Sequence, residues 1–190
     1  MKNKDAFYQL VLHPTKWSAV VNQLYVAAGK NQLYASQRLA RTNQFASEAR
    51  ALFQSDAELS AYYNHTLAGG KRDHMMDQTD IGYTFWNELP VNNMPKVARI
   101  DVPDIANMGF AVEGSALAWP SAPGQRVLPQ LDVLNQHRSC IDTFKCGESS
   151  FAFTAAPNVP WIIVSEPEGI VMQGKRIWIS PVRAGSLLPG

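Results

Sequence analysis

The sequence predicts an α+β, multidomain chain: an N-terminal helical bundle followed by a C-terminal antiparallel β-sandwich, immunoglobulin-like and incomplete. Three observations predict it. Eleven of the twelve prolines and nine of the twelve glycines fall after residue 70, which leaves the first third free for long helices. Before that point apolar residues recur at spacings of three and four; after residue 100 they gather in short runs rich in Val, Ile, Phe and Trp. A hydrophobic share of 46% over 190 residues is enough for a real core. The predicted divisions are 1–70 for the bundle, 71–98 for a connecting segment and 99–190 for the sandwich.

Along the chain, Trp17, Val20, Val21, Leu24, Tyr25 and Ala28 share one helical face, and Pro14 suits a place just before or inside the first turn of that helix. Leu33, Tyr34, Leu39, Phe45, Ala46, Ala49, Leu52 and Phe53 carry an apolar face onward, as one or two long helices. Ser55-Asp56-Ala57-Glu58 has the form of a capping box, in which the Ser hydroxyl and the Glu carboxylate take up the free N–H groups of a helix start. It predicts a fresh helix ending at Gly69-Gly70. The strand-like runs are Ile100–Val102, Ser150–Thr154, Trp161–Val164 and Arg176–Ile179, with tight turns at Glu168-Gly169 and Gln173-Gly174-Lys175. About five to seven strands are expected, against roughly seven in an immunoglobulin-like fold.

A formal net charge of +1 offers no clustered attraction to nucleic acid or to an anionic membrane, so neither is an expected partner. Phe7–Leu12, interrupted by Gln9 and followed by Pro14, is too short for an export signal or an anchor. No run approaches the roughly 18 apolar residues of a membrane helix. Cys140 and Cys146 lie in a strand-like stretch, where six residues span about 20 Å. A disulfide needs Cα atoms within about 7 Å, so two free thiols are expected.

The stretch from Gly69 to Trp86 is too polar for core and too dense in unusual residues for a plain linker. His74 and Gln78, four apart, would share a face if the piece is helical, with Asp73, Asp77 and Asp80 close by. A metal site would want two or more His or Cys at fixed spacing. A glycosidase acid and base would want two carboxylates facing each other across a cleft about 5 to 10 Å wide, which neighbours in sequence can hardly do. The plain structural alternative makes Asp77 and Asp80 local hydrogen-bond acceptors, Met75, Met76, Ile81 and Phe85 core, and His74 a satisfied polar contact. Tyr83 and Trp86 offer an apolar face with a polar tip, as sugar-binding surfaces do. Cys140 or Cys146 as a nucleophile would need a base such as His137, and sequence proximity alone does not make that pair. No phosphate-binding loop, serine elbow or pair of Cys-x-x-Cys motifs is present. No metal or other cofactor is expected.

Tyr62-Tyr63-Asn64, Ala68-Gly69-Gly70-Lys71, His74-Met75-Met76-Asp77-Gln78-Thr79, Ile81-Gly82-Tyr83-Thr84, Trp86, Pro90 and Asn93-Met94-Pro95 follow one another in order. This string closely resembles the segment after the catalytic barrel in glycoside hydrolase family 115, the xylan α-glucuronidases. The upstream helices resemble that family's bundle, and Val112-Glu113-Gly114-Ser115 resembles the opening of its β-sandwich. Ile141-Asp142-Thr143-Phe144 with Gly147, Pro160-Trp161-Ile162 with Ser165 and Gly169, and Arg176-Ile177-Trp178-Ile179 resemble successive strands. Three positions depart from the pattern: Arg72 replaces a Trp, Asp80 a His, and Asn87-Glu88-Leu89-Pro90 a Gln-Gln-Pro.

The resemblance implies an accessory C-terminal portion of an inverting α-glucuronidase, which removes glucuronic acid or 4-O-methylglucuronic acid from xylan. The catalytic carboxylates would sit on a barrel expected N-terminal to this chain and missing from it, so no catalytic residue is assigned here and the chain alone is expected to be inactive. It implies that Lys71, His74, Gln78, Tyr83 and Trp86 face the barrel and close part of the substrate pocket. The implied partners are that catalytic barrel domain and xylan or glucuronoxylan, and the parent enzyme would be secreted or periplasmic. A non-catalytic carbohydrate-binding or interaction module, an inactive truncated remnant and a homo-oligomer stay open.

Overall fold

The computed structural model describes residues 2–84, 89–132 and 134–182. They form helices, an antiparallel sheet of four strands and a second sheet of two strands, and among the described residues the strands close no barrel. The chain divides into two compact units, one of residues 1–32 and 42–99, the other of 33–41 and 100–190. No helix of the described residues is long and apolar enough to cross a membrane.

In the first unit a helical run begins at Lys2, not at Pro14. It comprises α1 (Lys2–Phe7), a π-helical turn (Tyr8–Leu12) and the start of α2 (His13–Gln37). A proline inside a helix removes one N–H and presses its ring on the carbonyl four residues back. Here the turn just before it is widened, with the His13 N–H bonded to the Tyr8 carbonyl, and the Thr15 hydroxyl donates to the Val11 carbonyl at 2.7 Å. The widened turn gives the ring room, so Pro14 bends the helix register without starting a new helix. Leu24, Ala27 and Ala28 form the buried stripe of α2, and Gly29 is carried inside the helix.

The second long helix, α3 (Thr42–Ala61), buries Phe45, Ala46 and Ala49. It runs straight through Ser55–Glu58, so the expected capping box is not one: the Ser55 hydroxyl donates back to the Ala51 carbonyl at 3.0 Å, within the helix. Asp56 falls on the line 45, 49, 52, 56 that the apolar stripe follows, and it is buried for that reason. The helix continues through a π-helical turn (Tyr62–Thr66) and ends at Leu67, whose ψ is 130°; a short 3₁₀-like turn (Leu67–Gly69) follows, in which Ala68, Gly69 and then Gly70 are left-handed at φ 54°, 71° and 78°. Tyr8, His13, Tyr62 and Tyr63 form an aromatic cluster, with the His13 and Tyr63 rings 4.5 Å apart. Residues 71–99 belong to this same unit, and those described, 71–84 and 89–99, are turns, bends and irregular chain.

The second unit opens with the last turns of α2, which close in a Schellman arrangement: the Leu39 N–H reaches the Tyr34 carbonyl at 2.9 Å and the Arg38 N–H the Ala35 carbonyl at 3.1 Å. Arg38 takes the left-handed position there, at φ 58°. The strands are β1 (Met108–Val112), β2 (Ser139–Lys145), β3 (Phe151–Thr154), β4 (Ile162–Val164), β5 (Glu168–Val171) and β6 (Gly174–Pro181). The larger sheet has the order β1-β2-β6-β4 and the smaller pairs β3 with β5, all antiparallel. Ile177, Ile179 and Pro181 alternate inward along β6, and a shared core joins Ile177 and Ile179 to Phe153 and Val171 of the smaller sheet. A second cluster gathers Leu39, Ala111, Ala118 and Phe144.

Three local expectations fail in this unit, one being the turn at Gln173-Gly174-Lys175, since Gly174 and Lys175 pair in β6 opposite Phe144 and Thr143. Ile100–Val102 makes no strand and is extended chain without a ladder. Glu168-Gly169 is no turn, because both residues pair in β5, opposite Thr154 and Phe153. Gly169 belongs there for packing: a Cβ would stand 3.0 Å from the Phe153 ring. Met172-Gln173 makes the bend instead, and it passes the chain from the smaller sheet to the larger.

Candidate functional site

Residues 70–84 and 89–94 are irregular backbone, and irregular backbone is held in one shape only if its polar groups find fixed partners. Two asparagines supply them. Asn64, buried at the end of the helical run, donates to the Asp77 carboxylate at 2.7 Å and accepts the Met76 N–H at 2.9 Å. Asn92 accepts the N–H groups of Asp80 and Ile81 at 2.8 and 3.0 Å, and the Asn93 N–H returns to the Ile81 carbonyl at 2.9 Å. Thr79 adds a hydroxyl bond to the Leu89 carbonyl at 2.9 Å. Ile81 is fully buried between these clamps. Gly82 follows at φ 89°, where a Cβ would fall 2.6 Å from that of Asn93; its N–H donates to the Tyr25 hydroxyl at 2.9 Å. Only glycine meets both demands.

The clamps leave the candidate side chains outside. Lys71, His74, Gln78 and Tyr83 are all exposed, Tyr83 by 45%. Trp86 lies outside the described residues, as does Phe85. His74 and Gln78 do not share a helical face, because residues 71–76 are successive turns and His74 is left-handed at φ 63°. An L-residue with a branched polar ring reaches that region at a cost, and here hydrogen bonds hold it. The His74 Nδ1 lies 2.6 Å from Asp77 Oδ2 and its Nε2 lies 3.5 Å from Asp73 Oδ2, while His65 approaches Asp73 at 3.1 Å. The Asp77 hydrogen bond, then the charges of Asp73 and Asp77, push the His74 imidazole above its ordinary pKa. The polar chain Asn64–Asp77–His74–Asp73–His65 thus runs from a buried amide to the surface.

Lys71 stands at a cleft of ≈ 480 Å³ with Asp5, Gln9, Thr66, Gly69 and Arg72. Of the positions expected to be core, Ile81 is, Met76 is half-buried, and Met75 is not, at 56% exposed. Among the described residues no group of three or more His, Cys, Asp or Glu is placed to hold a metal ion. Asp73 and Asp77 both turn toward His74 and so do not face each other across a cleft.

The β unit carries a larger cleft, of ≈ 570 Å³, which sequence reasoning missed. Leu39, Ala111 and Phe144 line its apolar part; Glu113, Asp142, Lys175 and Arg176 line its charged part. Asp142 and Arg176 stand opposite each other in the β2–β6 register and make a two-point ion pair at 2.7 and 2.8 Å. Glu113 accepts the Ser139 hydroxyl at 2.8 Å and the Cys140 N–H at 3.1 Å, which fixes the mouth of β2. The available signal was Asp142 itself, a charge set on a strand between half-buried Ile141 and buried Thr143. Cys140 and Cys146 are unbonded, and burial raises both thiols, which suppresses the thiolate a nucleophile needs.

No protein-family model matches the chain, and no curated protein matches it at a significant level.

Proposed function

We propose that the chain acts as the accessory C-terminal portion of a xylan α-glucuronidase. In this reading the exposed side chains of Lys71, His74, Gln78 and Tyr83 pack against a separate catalytic barrel and complete its substrate pocket, and the two sheets make an immunoglobulin-like sandwich. The observation that carries it is the pairing of exposed Lys71, His74, Gln78 and Tyr83 with a backbone clamped from beneath by Asn64 and Asn92. A segment that served only as a linker would not need so many fixed backbone partners, whereas a surface that must present side chains in register does. The acid and the base of glycoside hydrolysis come from the barrel, and this chain contributes shape and polar contacts. The test is uronic acid release from glucuronoxylan oligosaccharides by a family barrel with and without the chain. Release that the chain does not raise, or that Tyr83→Ala leaves unchanged, overturns the reading.

A second reading, a non-catalytic carbohydrate-binding module, is favoured by the β unit. Its cleft combines an apolar floor with an ordered Asp142–Arg176 pair, and Trp161 is 43% exposed, as sugar platforms are. Retention on insoluble xylan without any gain in uronic acid release would select it.

A further inference from the structure

In the helical unit two carboxylates, buried Asp56 and half-buried Asp80, each bury an oxygen without the partners it ordinarily keeps. Asp56 of α3 is 1% exposed; Asn92 donates to its Oδ2 at 3.3 Å, and its Oδ1 has no hydrogen-bond partner. Asp80, on the clamped segment, buries an Oδ2 that also has none, although its own N–H is held by Asn92. The Trp17 indole N–H, from α2, is buried beside them: it acts as a donor toward both carboxylates, lowering the pKa of each, yet completes a well-formed hydrogen bond to neither. An ionised carboxylate only accepts, and the indole offers one donor. With both groups ionised, two buried oxygens face one N–H. A single proton supplies the missing donor and removes one of two like charges.

We propose that Asp56 and Asp80 hold one proton between them, and that this shared proton fastens the segment carrying Tyr83 to α3, so that the segment loosens as pH rises. Among the described residues the groups acting on the pair are Trp17, Asn92, the Asp80 backbone and the two carboxylates themselves, with no cation among them. Burial, then the charge of Asp80, push Asp56 up to about 6. Burial raises Asp80 as well, partly offset by Asn92, its own backbone and Trp17. A carboxyl raised in the folded state stabilises it fully below the ordinary carboxylate pKa and loses that contribution as pH climbs through the raised value. His13 works the other way: burial lowers its pKa, so its contribution is present above the ordinary histidine range and fades as pH falls. The pair must therefore be read by difference.

The experiment is amide hydrogen exchange at Ile81, Gly82 and Asn93 in the full chain, corrected for intrinsic exchange, at about pH 4.5 and about pH 8. Protection at these amides is expected to fall about tenfold more between the two conditions in the unaltered chain than in Asp80→Asn, whose amide donates to Asp56 without a titrating proton. Equal protection at both pH values in the unaltered chain, or the same fall in Asp80→Asn, overturns the proposal. Carboxyl-carbon titration of the unaltered chain tests it without any variant: two separated steps at Asp56 and Asp80 support a shared proton, and two ordinary carboxylate titrations contradict it.

Discussion

The helical unit is fastened by polar groups set into its apolar stripes, whereas the β unit is fastened by apolar side chains that alternate inward from paired strands. In the helices Asn31 occupies the next position of the stripe Leu24, Ala27, Ala28 and is fully buried. It donates to the Thr42 and Ala98 carbonyls at 2.9 and 3.0 Å and accepts the Ala98 N–H at 2.7 Å. Asp56 holds the equivalent place on α3. In the sheets the core is built mainly from Phe144, Phe153, Val171, Ile177 and Ile179, with Ser139 and Thr143 as buried polar residues of β2, and the Asp142–Arg176 pair lies half in solvent. The described residues of 71–84 and 89–99 form no ladder, so the helices offer them side-chain partners; strands satisfy their backbones by pairing and leave the core mainly to apolar packing.

Each half of this contrast can be broken by substitution. The largest effect is expected in the β unit, where Phe144→Ala empties an apolar core site and costs about 3 to 5 kcal/mol in denaturant unfolding. Asn31→Ala should cost about 3 kcal/mol although it removes almost no apolar area, because it orphans two carbonyls and one N–H in a buried place. A loss below about 1 kcal/mol would mean that the amide is not the fastening. Asn64→Ala should cost less, about 1 to 2 kcal/mol, and speed amide exchange at Met76 in particular. Asp80→Asn should raise the unfolding midpoint at about pH 8 and leave it nearly unchanged at about pH 4.5, since it removes a like charge that is present only at the higher pH. The smallest change belongs to Arg176→Met: an ion pair this exposed contributes under about 1 kcal/mol, less in high salt.

The same contrast explains what could be read in advance. Apolar spacing marked the territory of the long helices but neither the break between α2 and α3 nor the passage of α3 through Ser55, and the short runs rich in Val, Ile, Phe and Trp located β3, β4 and β6, because repeated burial of like side chains writes a period into the sequence. Asn31 and Asp56 follow that period too, but as polar residues they read as solvent-facing or, for Asp56, as part of a helix cap. Their burial depends on partners such as Ala98, Asn92 and Asp80, which lie more than twenty residues away and carry no local signal. In the candidate segment the residue types were legible and the geometry was not. A shared face for His74 and Gln78 was conditional on a helix there, and the left-handed turn at His74, held by Asp73 and Asp77 together with the Asn64 clamp, removes that condition.

The measurement that bears most directly on the central reading is uronic acid release from glucuronoxylan oligosaccharides by a separately produced family barrel, alone, with this chain, and with its Tyr83→Ala form. The accessory reading predicts release that rises with the chain and falls back toward the barrel-alone rate when Tyr83 is truncated. Equal release in all three mixtures would contradict it, and the exposed segment would then have to serve some other partner.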